Sequence, residues 1–350
     1  MNLDERSVSM TIRDIAGKAG VSTSTVSRVL NNSGYVGAKT RKQVMRVIEE
    51  NDYKPSAMAR GLSRRESNAI GVVVPQLDND FFGKILTGVG EVVDASDLTM
   101  ILCNTDNSVA KEFRSLSTLR EQRVRGLLIT PEVDYGSIIE RRNLQSLLDG
   151  LGVPVVMVDR RLVNPQWDGV YFDNYNGAFL ATEALIDGGN RRIGAIISDI
   201  KLDLGAKRYE GFVSAMQLRG LTPSADHLKL HDFVLSTDDS YRITKAMIDN
   251  NDLPEALFLG NGLVARGFFK AILEAGLRLQ HDICCIGFDH IDFLDIVNLN
   301  YSYVERNAQN MGRIAMQMLL ERSEQPILAR REHIIPAELI LNGSEKRIGK

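Results

Sequence analysis

The sequence predicts a small all-helical head followed by an α/β body of two doubly wound lobes. Three observations carry this. Short helical runs punctuated by glycine fill the chain before residue 55, apolar strands alternate with helical stretches from Ala69 onward, and the charge changes sign between the two parts. A chain of 350 residues holds two or three domains, each with its own core. Its 44% hydrophobic and 25% charged residues are ordinary for a globular protein.

The head reads as three helices. TIRDIAGKAG opens with Thr11 and carries Asp14 three residues on, a capping-box pattern. Ile12, Ile15, Ala16 and Ala19 follow at helical spacing, and Gly20 supplies the left-handed stop. Ser22 then caps VSTSTVSRVL, a run of β-branched and small hydroxyl residues that propensity alone would keep out of a helix. Val26, Val29 and Leu30 nevertheless share one face, and KTRKQVMRVIEEN places Val44, Val47 and Ile48 on one face of a third helix.

Two short helices joined at a glycine, backed by a third, make a helix-turn-helix unit. The second helix turns Thr23, Ser24, Ser27 and Arg28 outward, hydroxyls that reach phosphates or base edges and a guanidinium that grips guanine bidentately. Packing holds this helix, so its outer face is free for contact. A plain three-helix surface unit shares the pattern, and the helix pattern alone leaves both readings open. Residues 1–65 sum to +6 and the remainder to −9, a basic head on an acidic body.

Beyond the head, Pro55 ends the helical region and SAMARGL is long enough for about two turns, marginal in isolation and made ordered by a partner. The expected organisation is therefore a helix-turn-helix domain at 1–55, a hinge and linker at 56–68, and a body at 69–350. In the body, AIGVVVP, TMILCN, GLLIT, VPVVMVD, GVYFD, RIGAIIS, HLKL, ALFLG and ICCIGF read as strands. Between them, NYNGAFLATEALIDGG and RGFFKAILEAG have helical period and end at glycine. This alternation implies parallel sheets with helices on both faces, Rossmann-like lobes whose ligands lie at the strand carboxyl ends.

Several classes of function are disfavoured. No GxGxxG or GxxxxGK[ST] follows a strand, so no nucleotide cofactor is expected. Cys103, Cys284 and Cys285 sit in apolar runs, which argues against a disulfide framework, and no metal site is expected. No apolar run spans a bilayer and MNLDERSVSM lacks a signal-peptide core, so the expected compartment is the cytoplasm, with no membrane partner. Asp159 or Asp289 alone makes no catalytic constellation, so no enzyme is expected.

At the expected strand ends lie DNDFFG at 78–83, Asp159-Arg160-Arg161, Arg208, Asn261 and Asp289. A sugar hydroxyl both donates and accepts, so carboxylate, amide and guanidinium together satisfy it. Phe81 and Phe82 offer an apolar wall to the C–H face of a sugar ring.

Together TIRDIAGKAGVSTSTVSRVLN, TRKQV, YKPSAMARGL, IGVVVP, DNDFFGKILTG, VRGLLI, VPVVMVDR, FDNYNGA, KRYEGF and DICCIGFD resemble the LacI/GalR family of bacterial transcriptional regulators over about residues 10–340. The resemblance implies a type I periplasmic-binding-protein-like body, with an N-lobe at about 69–173 plus 303–325 and a C-lobe at about 174–300 plus 328–345. It implies DNA contacts at Thr11, Ser22, Thr23, Ser24, Thr25, Ser27 and Arg28, and a hinge helix in which Ala59 and Leu62 meet the minor groove, Leu62 as a wedge. Asn79, Phe81, Phe82, Asp159, Arg160, Arg208, Asn261 and Asp289 match positions where ribose- and hexose-binding relatives hold sugar. Phe233 and Arg306 fall near two more.

Three departures stand out: Gly37 replaces the usual serine before the third helix, Asp52 replaces glycine or asparagine, and Gly262 follows Asn261 where aspartate is frequent. Arg306 stands where neutral-sugar binders place glutamine. With Arg160 and Arg208 it opens the alternative of a sugar acid or sugar phosphate. The expectation is a homodimeric repressor on a pseudo-palindromic double-stranded operator, controlled by a small carbohydrate, a neutral pentose or hexose ahead of an anionic one. A sugar-binding protein without gene control is the alternative.

Overall fold

A computed structural model describes residues 10–30, 33–51, 53, 67–132, 137–163 and 165–348. The chain divides into two compact units, residues 1–67 and 68–350. Pro55, Ala59 and Leu62, with the hinge helix expected around them, lie outside the described residues.

The first unit packs α1 (Ile12–Lys18), α2 (Thr23–Leu30) and α3 (Ala38–Glu50) around a small core. Thr11 and Asp14 form the capping box, with Asp14 Oδ2 accepting from the Thr11 backbone N–H at 2.8 Å. Gly20 takes φ +62°, the left-handed turn that ends α1. Ile15, Ala16, Ala19, Val26, Val29, Val44, Val47 and Tyr53 interlock, so burial of Val26 and Val29 holds α2 despite its poor propensity. Gly37 precedes α3 without a side-chain cap, and the helix forms regardless.

The second unit contains two six-stranded sheets. The first joins β1 (Ala69–Val74), β2 (Thr99–Asn104), β3 (Gly126–Ile129), β4 (Val155–Val158) and β5 (Asp168–Phe172). The second joins β6 (Ile193–Ile197), β7 (Leu228–Leu230), β8 (Ala256–Leu259), β9 (Cys284–Phe288) and β10 (Tyr303–Glu305). Two late strands complete them, β11 (Glu332–Ile335) beside β5 and β12 (Glu338–Ile340) beside β10. The orders β2-β1-β3-β4-β5-β11 and β7-β6-β8-β9-β10-β12 are the same doubly wound order, each reversing beside its first strand. Pairing is parallel except between β10 and β12.

The helices are α4 (Asp80–Asp94), α5 (Val109–Glu121), α6 (Ile138–Asp149), α7 (Asn174–Asp187), α8 (Asp203–Leu218), α9 (Thr237–Asp249), α10 (Gly262–Glu274), α11 (Asp292–Ile296) and α12 (Ala308–Glu324). They cover the sheets on both faces, and so β1, β3, β4 and β6 read as near-continuous apolar runs. α4 and α12 cross closely enough that a Cβ on Gly88 would lie 1.8 Å from the Gln309 carbonyl oxygen. Among the described residues no helix is long and apolar enough to cross a membrane.

The chain passes between lobes after β5, after β10 and between β11 and β12. This corrects the expected lobe boundaries. Tyr303–Glu305 pairs with β9 and belongs to the C-lobe, while Glu332–Ile335 pairs with β5 and belongs to the N-lobe. Each sheet gains edge hydrogen bonds from a strand that arrives late in the chain, so the lobe change falls later than composition suggests. A shared apolar cluster joins the lobes, with Phe172 and Phe288 edge-to-face at 5.9 Å.

Candidate functional site

In the first unit, Ser22, just before α2, and Thr23, Ser24 and Arg28 on it are exposed, while Thr25 and Ser27 are half-buried. Ser22 Oγ accepts from the Thr25 backbone N–H at 3.2 Å and lies 2.7 Å from Ser24 Oγ, so part of this hydroxyl cluster also starts the helix. Thr11, exposed at the start of α1, donates its hydroxyl proton to Asp14 at 2.6 Å.

In the second unit, the strand ends of both lobes converge on a narrow cleft of about 40 Å³. Asn79, Phe81, Phe82, Asp159 and Arg160 reach it from one lobe, and Arg208, Asn261 and Asp289 from the other; Arg306 joins from the crossing after β10. The two asparagines are helix caps: Asn79 Oδ1 accepts from Phe81 N–H at 3.1 Å, and Asn261 Oδ1 from Val264 N–H at 2.9 Å. Asp159 and Asp289 take φ +64° and +68°, left-handed positions that a short polar side chain tolerates.

Ionic contacts dominate the cleft. Arg306 binds Asp289 through Nε–Oδ1 at 2.7 Å and Nη2–Oδ2 at 2.6 Å, reaches Asp159 at 3.4 Å, and lies 3.4 Å above the Phe81 ring centroid. Burial works against its charge, but Asp289, with Asp159, holds the guanidinium above its usual value. Arg160 donates to Glu132 at 2.6 Å, and Glu132 with Asp199 likewise outweighs its burial. Arg208 bonds the Asn174 amide oxygen and the Gly260 carbonyl, each at 2.8 Å, and stacks 4.3 Å over Phe288. Burial first, then neighbouring Arg306, brings it down to about 10.

Phe233 does not line this inner cleft. It is 60% exposed and faces an adjoining chamber of about 490 Å³. Arg161 points elsewhere, pairing with Glu332 at 2.8 Å and lying over Tyr171. Sequence reasoning missed Gln76, Glu132 and Asp199. Asp199 follows β6 as Asp159 follows β4, at φ +56°, and burial raises its carboxyl despite Arg160. The strand-then-aspartate pattern of RIGAIISD carried that signal.

A basic helix-turn-helix with exposed hydroxyls and arginine, together with a two-lobed α/β body around a polar cleft, defines the class of DNA-binding regulators. Comparison agrees. Residues 11–56 match the family described as "Bacterial regulatory proteins, lacI family", and residues 182–344 a "Periplasmic binding protein-like domain". The HTH-type transcriptional repressor PurR of Pasteurella multocida is 33% identical over 96% of this chain and 98% of that protein. The ribose operon repressor of Halalkalibacterium halodurans is 31% identical over 96% and 97%. The lac repressor dimer bound to operator and the anti-inducer ONPF superposes with a TM-score of 0.81, covering 96% of this chain and 99% of that one at 23% identity, a likeness of fold. The chain belongs to the LacI family and is a DNA-binding transcriptional repressor.

Proposed function

We propose that this repressor controls a carbohydrate-utilisation operon, and that a neutral pentose or hexose held between the lobes sets its operator affinity. The charge balance of the cleft carries the reading: the three arginines face Asp159, Asp199, Asp289 and Glu132, and two of them are directly ion-paired. An ion-paired wall offers donors and acceptors without a net positive charge for an anion to neutralise, and Phe81 and Phe82 line it with apolar surface. The ribose operon repressor among its relatives supports a sugar effector.

A ligand binding both lobes shifts the population of hinge angles. In a homodimer this alters how the two heads engage the half-sites of a pseudo-palindromic operator, through Thr11, Ser22, Thr23, Ser24, Thr25, Ser27 and Arg28. The dimeric, operator-bound lac repressor supports that assembly, and a DNA-binding role supports the cytoplasm as its compartment.

One feature favours an anionic effector instead. Arg208 Nη2 is buried without a hydrogen-bond partner among the described residues, and a carboxylate or phosphate oxygen would satisfy it. Calorimetry and thermal unfolding of the full chain with pentoses, hexoses, sugar acids and sugar phosphates separate the two. A ligand at about 100 times its Kd stabilises by about 2.7 kcal/mol. Stabilisation by a neutral sugar is expected; stabilisation by anionic sugars alone assigns the cleft to those.

A further inference from the structure

We infer that Arg306 is the cleft's own occupant and latch: its guanidinium holds the two lobes together, and an effector enters only when that side chain leaves. This rests on the reading above that the effector lies between the lobes. The space remaining in the cleft, about 40 Å³, takes about three waters and falls far below the roughly 300–1,000 Å³ of small-molecule sites. The groups suited to a ligand are present in it but already engaged, and Arg306 engages three of them.

Its guanidinium carbon lies 3.4 Å from the centroid of the Phe81 ring, which is only 5% exposed and meets Phe82 edge-on at 5.2 Å. The aromatic face that the N-lobe presents to the cleft is therefore covered. On the C-lobe side both carboxylate oxygens of Asp289 accept from Arg306, at 2.7 and 2.6 Å. Nη1 reaches Asp159 of the N-lobe at 3.4 Å. A flat group stacked on a ring, with its edge against two carboxylates, fills the cleft, and the chain itself supplies that group.

The position of Arg306 in the chain makes it a latch. It stands at a crossing between lobes, after β10 of the C-lobe and before α12, which packs on α4 of the N-lobe. The adjoining Asn307 takes φ +43° and caps α12, its Oδ1 accepting from Asn310 N–H at 3.3 Å. Its own N–H donates to Glu305 at 2.7 Å, which braces the crossing. From this fixed point one side chain holds an aspartate of each lobe, so parting the lobes breaks at least one of its contacts. Arg266 of α10 donates to Asp80 at the start of α4, a second link between the lobes. Both of those side chains are partly exposed, so water weakens their pairing, whereas breaking the buried link at Arg306 is costly.

A latched cleft binds its effector with an affinity reduced by the fraction of time that the latch is open. The test uses the full-length protein, Arg306→Ala and Arg306→Lys, with calorimetry and small-angle X-ray scattering. Lysine keeps the charge that the aspartates require but has neither the fork nor the flat face. Without effector, both variants are expected to show a larger radius of gyration than wild type. Methylguanidinium chloride, a free copy of the lost group, should bind Arg306→Ala saturably, return its radius toward the wild-type value, and leave wild type unaffected. The carbohydrate that binds wild type should bind both variants about ten-fold or more tighter.

Unchanged radii in both variants, or equal methylguanidinium binding by Arg306→Ala and wild type, overturns the latch. Weaker carbohydrate binding by both variants also overturns it, and makes Arg306 a ligand contact. If Arg306→Ala does not fold, the radius and affinity of the lysine variant decide. Methylguanidinium binding to Arg306→Ala alone, with no carbohydrate bound by any of the three proteins, upholds the latch and overturns the carbohydrate reading.

Discussion

Arg306 grips Asp289 with two parallel hydrogen bonds, Nε to Oδ1 at 2.7 Å and Nη2 to Oδ2 at 2.6 Å, at the point where the chain leaves the C-lobe sheet for α12. The remaining guanidinium nitrogen reaches Asp159 of the other lobe at 3.4 Å. One side chain therefore ties together an aspartate from each lobe and a wall of the cleft.

Removing that side chain strands two carboxylates. Arg306→Ala is expected to lower stability by about 3–5 kcal/mol, the usual cost of leaving a buried charge uncompensated. Urea unfolding of the full chain measures it. Asp289→Asn in the same chain should recover part of the loss, because it removes one of the uncompensated charges. A cost below about 1 kcal/mol would show that water screens the cluster, as for surface pairs.

Stability should also depend on Glu112. This fully buried carboxyl accepts the Glu132 backbone N–H at 2.5 Å through Oε2, while Oε1 has no hydrogen-bond partner among the described residues. Burial pushes it up to about 8 from 4.5, against the bond from Glu132. The folded chain thus keeps a proton that the unfolded chain releases, so this contribution is full below pH 4.5 and is lost as pH rises through about 8. Glu112→Gln removes the titration. Its unfolding free energy should gain on wild type as pH rises, by at most about 1.4 kcal/mol per pH unit. A difference independent of pH would contradict the assignment.

On the DNA side, Arg28 stands in the last turn of α2 with its side chain exposed. Arg28→Ala should cost about 1–3 kcal/mol of operator affinity and relax preference at one base pair in each half-site. Selection of binding sites from a random library reads this directly. Uniform weakening with unchanged sequence preference would make Arg28 a phosphate contact instead.

Most of the architecture was legible because its signals are local. Capping residues, glycine stops and apolar runs fix α1, α2 and the strands β1 to β9 within a few residues of the chain. The strands β10, β11 and β12 carry no such signature. They are three or four residues long, partly exposed, and defined by partners far away in sequence.

The cleft shows the same limit. Asp159, Asp289, Arg208 and Asn261 lie just after apolar strands or on the helices that follow, where a doubly wound fold gathers side chains. Arg306 could be placed near the pocket, but its pairing with both aspartates could not be read, because the partners lie 17 and 147 positions away. Arg160 bonds Glu132 from 28 positions off, and only the fold reveals that this pairing offsets the apparent excess of positive charge. Phe233, expected near the pocket, lines the adjoining chamber instead of the inner cleft.

The most direct test of the account measures affinity for a selected pseudo-palindromic operator by fluorescence anisotropy, using the full-length protein with and without the carbohydrate that calorimetry identifies. Coupling between a ligand and DNA is typically about 1–3 kcal/mol, or 5- to 150-fold in affinity, and the operator must change sugar affinity by the same factor. A shift of that size is expected, equal in both directions and weakened by substitutions of Asp159 or Asp289. A carbohydrate that fills the cleft while leaving operator affinity unchanged would contradict it.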